Sequence, residues 1–301
     1  MSSENFRAGF VAVMGKPNVG KSTLLNAMLQ QKIAAVSPRP QTTRKRQMGI
    51  LTTEFAQVIF LDTPGIHLPR HKLGAAMNQE ALSTLAECDL IVCIVDASQP
   101  PDENDRLLAE QILRIKRPIQ TLLVLNKIDL LPSGTTPERQ AEFTPLFPNA
   151  HPLPVSATLG TGLDILLQEI IARLPDSPPY FSEDQLTDLY ERDLAADLIR
   201  ESALIILRDE VPHGIAVRID QFTERGESGA YIEATLFVEK ESHKGIVIGQ
   251  GGSMLKQIGS RARLEIEAMS GRKVFLQLRV KVRKNWRDNE SVIKAFGFRR
   301  S

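Results

Sequence analysis

A lysine and a hydroxyl stand side by side near the N-terminus, behind a pair of spaced glycines. The segment consists of Gly15, Lys16, Pro17, Asn18, Val19, Gly20, Lys21 and Ser22. This Gly-x-x-x-x-Gly-Lys-Ser spacing is the P-loop pattern, in which glycines let backbone N–H groups close around phosphate oxygens. Lys21 would neutralise the β- and γ-phosphates, and Ser22 would ligate Mg²⁺. The segment predicts a nucleotide phosphate site without specifying the base.

A second motif follows an apolar run further along the chain. It consists of Asp62, Thr63, Pro64 and Gly65. An aspartate here can reach Mg²⁺ through water, and Gly65 offers a backbone N–H to a γ-phosphate. Alone the motif is a common turn. Behind a P-loop it predicts a sensor of the third phosphate, and it gives Gly65 a catalytic role beside Lys21.

Two further motifs specify the base. They consist of Asn126, Lys127 and Asp129 after the run TLLVL, and of Ser156 and Ala157 after the run PLPV. Asp129 can accept hydrogen bonds from N1–H and the 2-amino group of guanine, whereas adenine has no donor there. The backbone N–H groups of Ser156 and Ala157 could meet the guanine O6. These motifs predict GTP rather than ATP.

The loop SPRPQTTRKRQ, residues 37–47, lies between the P-loop and Asp62. Pro38 and Pro40 oppose regular structure, and Thr42 and Thr43 offer hydroxyls to Mg²⁺ in a switch that γ-phosphate would order. We prefer Thr43 as metal ligand and catalytic residue, beside Ser22 and Asp62 as the other metal ligands. Thr42 remains an alternative, and so does a plain basic loop.

Strand-like and helix-like patterns alternate through the first part of the chain. The predicted strands are FVAVMG, AQVIFLDTPG, LIVCIVDAS, TLLVLNKID and LPVSA, and the predicted helices are KSTLLNAMLQ, AAMNQEALSTLAEC, ENDRLLAEQILRIK and LDILLQEIIARL. Near-continuous Val, Ile and Leu runs are typical of parallel strands covered on both faces. The sequence therefore predicts an α/β P-loop domain with a mostly parallel, doubly wound sheet over residues 1–175. Ligands bind at the carboxyl ends of such strands, where the motifs fall.

The alternation stops at the proline-rich segment that begins at Pro175, and we expect a linker over residues 176–190. Residues 191–301 predict an α+β domain. Its expected elements are the helix DLYERDLAADLIRESALIIL, the antiparallel strands HGIAVRIDQF and YIEATLFVEK, the helix SMLKQIGSRARLEIEAM and the strand KVFLQLRVKV.

A glycine-rich loop lies between helical patterns in this second domain. It consists of Ile248, Gly249, Gln250, Gly251 and Gly252. An I-G-x-x-G loop clamps about four single-stranded nucleotides by their backbone in KH domains. Two strands precede the loop and one follows the next helix, which resembles the type II KH order. A helical hairpin with a glycine turn is the alternative.

Charge is distributed unevenly along the second domain. Residues 181–242 carry 6 basic and 15 acidic side chains, and residues 243–301 carry 14 basic and 4 acidic ones. The basic part contains the side chains that we expect to contact RNA phosphates with the loop: Lys256, Arg261, Arg279 and Lys281. Such charge supports nucleic-acid binding, although a solvated face is the commoner reason for a charge run.

Whole-chain properties limit the class of protein. The net charge is only +1 in 301 residues, so global basicity is no argument for nucleic acid. Cys88 and Cys93 lie in apolar sequence and predict buried thiols. No signal peptide is visible, and the longest apolar run is far shorter than the ~20 residues of a membrane span. We expect a cytoplasmic protein, loop roles for His67 and His71, and a packing role for Trp286 rather than base stacking.

Five segments, which we call the G motifs, follow one another: Gly15 to Ser22, Thr42 with Thr43, Asp62 to Gly65, Asn126 to Asp129, and Ser156 with Ala157. In this order they resemble the translation-factor-related bacterial GTPases. With a C-terminal KH domain, nearly the whole chain resembles the Era family. The resemblance implies GTP hydrolysis, Mg²⁺ as cofactor, binding of the single-stranded 3′ end of 16S rRNA and help in assembling the 30S subunit. It also leaves open K⁺ near Asn18 and peripheral contact with the inner membrane. We expect a monomer.

Two residues depart from common patterns. Ile66 stands where many small GTPases carry a water-orienting glutamine, so intrinsic hydrolysis should be slow. The loop Gly249 to Gly252 lacks the lysines of more basic KH loops. The competing interpretation is a signalling GTPase that docks on a membrane or a protein and whose C-terminal domain does not read RNA. A salt titration of single-stranded RNA binding separates the two interpretations, because an RNA reader should lose affinity as salt rises.

Overall fold

The computed structural model describes residues 6–37, 39, 42–188, 191–224 and 229–298, and these form two compact units. The first unit contains mainly residues 6–34, 43–70 and 74–188, and the second contains mainly residues 191–298. Pro38 and Pro40 of the predicted switch loop lie outside the described residues.

A six-stranded sheet forms the centre of the first unit. Its strands are β1 (Arg7–Met14), β2 (Gln47–Thr52), β3 (Ala56–Asp62), β4 (Leu90–Asp96), β5 (Gln120–Asn126) and β6 (Ala150–Pro154). The order is β2-β3-β1-β4-β5-β6, and every neighbouring pair is parallel except β2 with β3. The predicted mostly parallel sheet is confirmed.

Five helices cover this sheet. They are α1 (Lys21–Leu29), α2 (Lys72–Thr84), α3 (Glu103–Leu113), α4 (Thr136–Phe143) and α5 (Leu163–Arg173). Side chains alternate between two cores along β1: Val11 and Val13 pack in one, and Ala12 and Met14 pack in the other. Because both faces bury apolar side chains, the sheet is doubly wound.

Three elements of the first unit differ from the sequence prediction. Strand β2 and helix α4 were not predicted, because the run QMGILT is short and α4 is polar. Strand β6 ends at Pro154, earlier than the predicted LPVSA, because the Ser156 N–H donates to the Thr161 carbonyl at 3.0 Å and turns the chain away.

Residues 176–188, which we call the strap, lie on the first unit rather than away from it. The Gln57 amide holds the strap: its Oε1 accepts from the backbone N–H groups of Tyr180 and Phe181 at 2.7 and 3.0 Å, and its Nε2 donates to the Phe181 carbonyl at 2.9 Å. The Ile50 N–H in β2 donates to the Leu186 carbonyl at 2.8 Å. The predicted linker therefore begins as a segment docked on β2 and β3.

Replacing Gln57 by alanine should loosen the strap and destabilise the first unit. Gln57 is 0% exposed, and the change removes its bonds to the strap and to Thr52. We expect a loss of about 2 kcal/mol in the free energy of unfolding, from buried hydrogen bonds. Urea unfolding with hydrogen exchange of residues 176–188 measures it. Gln185→Ala is the control, since among the described residues that amide bonds within the strap, to the Thr187 carbonyl. Equal losses in both variants would contradict the strap's dependence on Gln57.

The second unit has a three-stranded sheet with order β7-β8-β9. Its elements are α6 (Glu191–Ile206), β7 (Ala216–Glu224), β8 (Ala230–Val238), α7 (Glu241–Ile248), α8 (Ser253–Ser270), β9 (Val274–Val282) and α9 (Glu290–Ala295). β7 pairs with β8 antiparallel, and β8 pairs with β9 parallel. This α-β-β-α-α-β order confirms the type II KH prediction.

Several side chains occupy the places that the sequence suggested. Trp286 is buried, donates its indole N–H to the Gly214 carbonyl at 2.8 Å and packs edge-on against Phe296. It therefore packs, as predicted, and is not placed to stack a base. Cys88 and Cys93 are buried free thiols. Within the described ranges, none of the helices is both long and apolar enough to cross a lipid bilayer.

Candidate nucleotide site and glycine loop

The P-loop glycines are required by close approaches of the backbone. Gly20 precedes α1 with φ +99°, and a Cβ there would lie 2.3 Å from Asn126 Nδ2. A Cβ on Gly15 would lie 2.6 Å from the Ile94 carbonyl oxygen. Larger residues would push the loop off the ends of the strands, so these glycines set the loop's shape.

Lys21 lies buried inside this loop. Its Nζ donates to the carbonyl oxygens of Gly15 and Lys16 at 3.2 and 3.0 Å. Burial lowers the pKa of Lys21 to about 8, and the nearby Asp62 carboxylate opposes that shift. A phosphate group in the loop would supply the anionic partner that favours the charged amine.

The three predicted metal ligands come together beside Lys21. Ser22 Oγ donates to Asp62 Oδ2 at 2.8 Å and lies 2.8 Å from Thr43 Oγ1, which in turn donates to Asp62 Oδ2 at 3.1 Å. Asp62 is buried, and burial raises its pKa against the pull of Lys21 and both hydroxyls. Asp62 Oδ1 is buried without a hydrogen-bond partner among the residues that the structure describes. This hard-oxygen set could hold Mg²⁺.

Thr42 and Thr43, the two candidates for the metal ligand, have different hydrogen-bond partners. Thr42 Oγ1 donates to the Arg39 carbonyl at 2.9 Å, whereas Thr43 contacts Ser22 and Asp62. The structure brings Thr43 to the cluster and directs Thr42 into its own turn.

The segment after Asp62 packs directly on the P-loop. A Cβ on Gly65 would lie 2.6 Å from the Pro17 nitrogen, and the Ile66 N–H donates to the Gly15 carbonyl at 3.1 Å. Thr63 Oγ1 donates to the Val13 carbonyl at 2.7 Å. Its hydroxyl therefore anchors the turn to β1, and the buried Ile66 side chain carries no group that could polarise water.

Asn126 connects the P-loop with the loop after β6. Its Nδ2 donates to the Val19 carbonyl at 2.7 Å, and its Oδ1 accepts from the Ala157 N–H at 3.0 Å. The side chain is thereby used in joining the two loops. Asn126 therefore holds together two loops that the sequence predicts to contact the nucleotide.

Asp129, the predicted base reader, is exposed and lies next to Ser156 in the loop after β6. Ser156 Oγ donates to Asp129 Oδ1 at 2.5 Å, which orients the carboxylate. Lys127 Nζ pairs with Asp96 Oδ2 at 2.5 Å. Asp96 was missed from the sequence, although its position at the end of β4, level with Asn126 in the sheet, was the available signal.

Lys16 is placed differently from the other P-loop residues. Its Nζ contacts Asp102 Oδ2 at 2.9 Å and Asp105 Oδ2 at 2.6 Å, at the start of α3. Asp102 and Asp105 also form a reciprocal capping box on that helix. Both aspartates were missed from the sequence, although the D-x-x-D spacing at the start of a predicted helix was visible.

The predicted RNA loop joins α7 and α8. Gly249, Gly251 and Gly252 have φ values of +72°, +58° and +79°. A Cβ on Gly249 would lie 2.7 Å from Met254 Cβ, whereas no described atom lies within 4 Å of a Cβ on Gly251 or Gly252. The loop after Ile248 is therefore open on the side of Gly251, and Gln250 is exposed there.

The predicted RNA cations divide into two kinds. Arg261 lies 3.7 Å from Glu265, and Arg279 lies 3.2 Å from Glu233. Lys256 and Lys281 are exposed, and neither forms an ion pair with any residue that the structure describes. Sequence alone could not separate the paired arginines from the available lysines.

Comparison with known proteins gives a consistent picture. A family model described as a 50S ribosome-binding GTPase matches residues 10–127, and a KH-domain model matches residues 210–287. GTPase Era of Geobacter metallireducens is 46% identical over 299 residues, covering 99% of this chain and 100% of that protein. GTPase Era of Heliobacterium modesticaldum is 44% identical over 295 residues, covering 98% of each.

Two solved structures extend the comparison to three dimensions. A crystal structure of Era with MgGDPNP and nucleotides 1506–1542 of 16S ribosomal RNA matches with a TM-score of 0.92 at 39% identity, covering 97% of this chain and 99% of that one. A point variant of Aquifex aeolicus Era bound to GDP.AlF4⁻ matches with a TM-score of 0.91 at 39% identity and the same coverage. With relatives this similar over almost its full length, the chain belongs to the GTPase Era family.

Proposed function

We propose that this GTPase is a switch that binds the single-stranded 3′ end of 16S rRNA through its KH domain and assists assembly of the 30S subunit. The observation that carries the proposal is the convergence of Ser22, Thr43 and Asp62 beside Lys21, in a chain that also presents an open Gly249–Gly252 loop. The Era structure that holds MgGDPNP and 16S rRNA nucleotides, aligned over 97% of this chain, supports it.

In this proposal each G-motif residue has a chemical task. Lys21 and the Gly65 N–H stabilise charge on the phosphoryl oxygens as water attacks. Ser22, Thr43 and Asp62 hold Mg²⁺, which when bound neutralises phosphate charge. Gly15 to Ser22 surround the phosphates with backbone N–H groups, and Thr63, Pro64 and Ile66 support the turn at Gly65. Because Ile66 cannot orient water, basal hydrolysis is slow.

The base is read by residues that follow β5 and β6. Asp129 accepts from guanine N1–H and the 2-amino group, and the backbone N–H groups of Ser156 and Ala157 meet O6. Asn126 and Lys127 hold these loops in place. The Ser156 hydroxyl bonds to Asp129 Oδ1, and in this proposal the second carboxylate oxygen, Oδ2, faces the base.

A charge placed in the glycine loop tests the RNA part. Changing Gln250 and Gly251 to aspartate should weaken binding of a single-stranded oligonucleotide with the 16S 3′-end sequence by about tenfold or more, because two carboxylates repel the backbone phosphates. Fluorescence anisotropy at several salt concentrations measures it. GTP affinity should be unchanged.

The matched control replaces the same two residues with asparagine. Asparagine has nearly the same shape and tolerates positive φ, so it separates charge from backbone strain at Gly251. Equal RNA affinity in the aspartate pair and the wild type would contradict the proposal. It would favour the alternative, a GTPase whose C-terminal domain docks on a membrane or protein.

Several finer expectations belong to the same proposal. We propose domain limits of 1–175 and 191–301 with the linker between them, a monomer, and a cytoplasmic location with peripheral inner-membrane contact left open. Lys256, Arg261, Arg279 and Lys281 form the proposed RNA field. K⁺ near Asn18 also remains a prediction, and equal hydrolysis rates in Na⁺ and K⁺ buffers would contradict it.

A further inference from the structure

The first turn of α3 carries three polar side chains that reach two loops of the nucleotide site. Asp102 and Asp105 both contact Lys16 Nζ of the P-loop, at 2.9 and 2.6 Å. Between them, Asn104 Oδ1 accepts from the Leu68 N–H at 3.1 Å, three residues after Gly65. One helix start therefore holds both the P-loop and the segment that follows the third-phosphate sensor.

Of the two contacts with Lys16, the one with Asp105 is shielded from water, whereas the Asp102 side chain is half exposed. The Asp105 side chain is 0% exposed and that of Lys16 is 12% exposed. Asp105 Oδ2 also accepts from the Asp102 N–H at 3.0 Å, whereas its Oδ1 is buried with no hydrogen-bond partner in the described part of the chain. Burying such a pair costs much of its attraction, so an apolar pair could give similar stability. The charges are better explained by the geometry that they impose.

Burial and the contact between the two charged groups act in opposite directions on the pKa of each partner. Burial raises the pKa of Asp105, with the bonds from Asp102 and Lys16 opposing the rise. Burial also acts against the charge of Lys16, but its two carboxylate partners outweigh it and raise the pKa. The 2.6 Å distance between Lys16 Nζ and Asp105 Oδ2 is typical of a short, charge-assisted hydrogen bond.

We call the contacts of Asp102 and Asp105 with the Lys16 side chain the clamp. The clamp is connected to the lysine that is predicted to bind phosphate. The backbone carbonyl of Lys16 accepts from Lys21 Nζ at 3.0 Å. The path from α3 to the phosphate site is therefore Asp105, the side chain of Lys16, the carbonyl of Lys16 and then Lys21. A change in the contact between Asp105 and Lys16 would therefore displace the Lys16 carbonyl, which accepts from Lys21 Nζ.

We propose that Asp105, supported by Asp102, is a positioning residue for guanine nucleotides that sets the P-loop through Lys16. The proposal rests on the proposed GTP site. The P-loop holds the phosphates in both the ground state and the transition state, so the clamp contributes uniform binding. Losing it should raise KM and the nucleotide dissociation constant while changing kcat little.

The test measures GTP and GDP affinity, KM and kcat for Lys16→Met, Asp105→Asn and the double variant of the full chain. Each single change should weaken nucleotide binding about tenfold with kcat within about threefold of wild type. The double variant should bind nucleotide about as tightly as the single variant with the lower affinity, because the two side chains act as one unit. Lys16→Arg should restore most of the affinity.

Controls separate positioning from damage to the fold. Glu110→Gln, on the same helix but in an exposed pair with Arg114 at 3.8 Å, should leave all three quantities unchanged. Should Asp105→Asn fail to fold, Lys16→Met and Lys16→Arg decide the matter alone. Unchanged KM in folded Lys16→Met, or no recovery in Lys16→Arg, would overturn the inference. Failure of the wild type to bind guanine nucleotides would instead overturn the proposed function.

Discussion

Lys21→Ala is expected to abolish measurable binding of GTP and GDP. Lys21 Nζ lies buried between the carbonyls of Gly15 and Lys16, where no other described lysine amine reaches. Phosphate oxygens in the loop would lose their buried cationic partner, which costs about 3–5 kcal/mol and corresponds to a loss of about 10²-fold or more in affinity. Equilibrium titration with a fluorescent guanine nucleotide measures this loss.

The Lys21 result has a simple control. Lys116→Ala removes an exposed lysine of the same unit and should bind nucleotide as the wild type does. Circular dichroism should show that Lys21→Ala is folded, with a thermal unfolding temperature below that of the wild type without nucleotide, because buried Asp62 and the carbonyls of Gly15 and Lys16 lose their cationic partner. Retention of wild-type affinity by a folded Lys21→Ala variant would remove Lys21 from the phosphate site.

Asp129→Asn should change the preferred base from guanine to xanthine. The asparagine oxygen can still accept the Ser156 hydroxyl that now donates at 2.5 Å, and its amide then presents N–H groups to the base. Guanine presents its 2-amino group at that edge, so the N–H groups of asparagine would face another donor. Xanthine has a carbonyl in place of the 2-amino group and can accept from the asparagine amide. Polar groups left unpaired in this way discriminate by about 10²-fold or more.

Competition between GTP, XTP and ATP for the labelled nucleotide measures the change of preference. Asp164→Asn, which neutralises an exposed carboxylate at the start of α5, is the control and should keep the preference for guanine. If Asp129→Asn still preferred GTP over XTP, Asp129 would not be the base reader.

Much of the first unit and its site could be predicted from local sequence. The motifs at Gly15 to Ser22, at Asp62 and at Asn126 each follow a buried parallel strand, and parallel strands bring their carboxyl ends to one edge. Their convergence therefore follows from the fold class. The type II KH order was likewise readable, because each element is long and strongly periodic.

Other features depend on contacts between distant residues, which local pattern does not reveal. The strap is held by Gln57, more than a hundred positions earlier, and Lys16 is clamped by aspartates of α3. Whether Arg279 is available to RNA depends on Glu233 of the neighbouring strand. Edge strand β2 escaped prediction for a similar reason, since its pairing with β3 and the strap stabilises a run of only six residues.

The most direct test of the account compares GTP and ATP binding to the purified wild-type protein. Displacement of a fluorescent guanine nucleotide, titrated with each competitor in Mg²⁺ buffer, gives both affinities from one sample. GTP should displace the label at concentrations about 10³-fold or more below those needed for ATP, because adenine lacks the donors that Asp129 accepts. Equal displacement by the two nucleotides would contradict it.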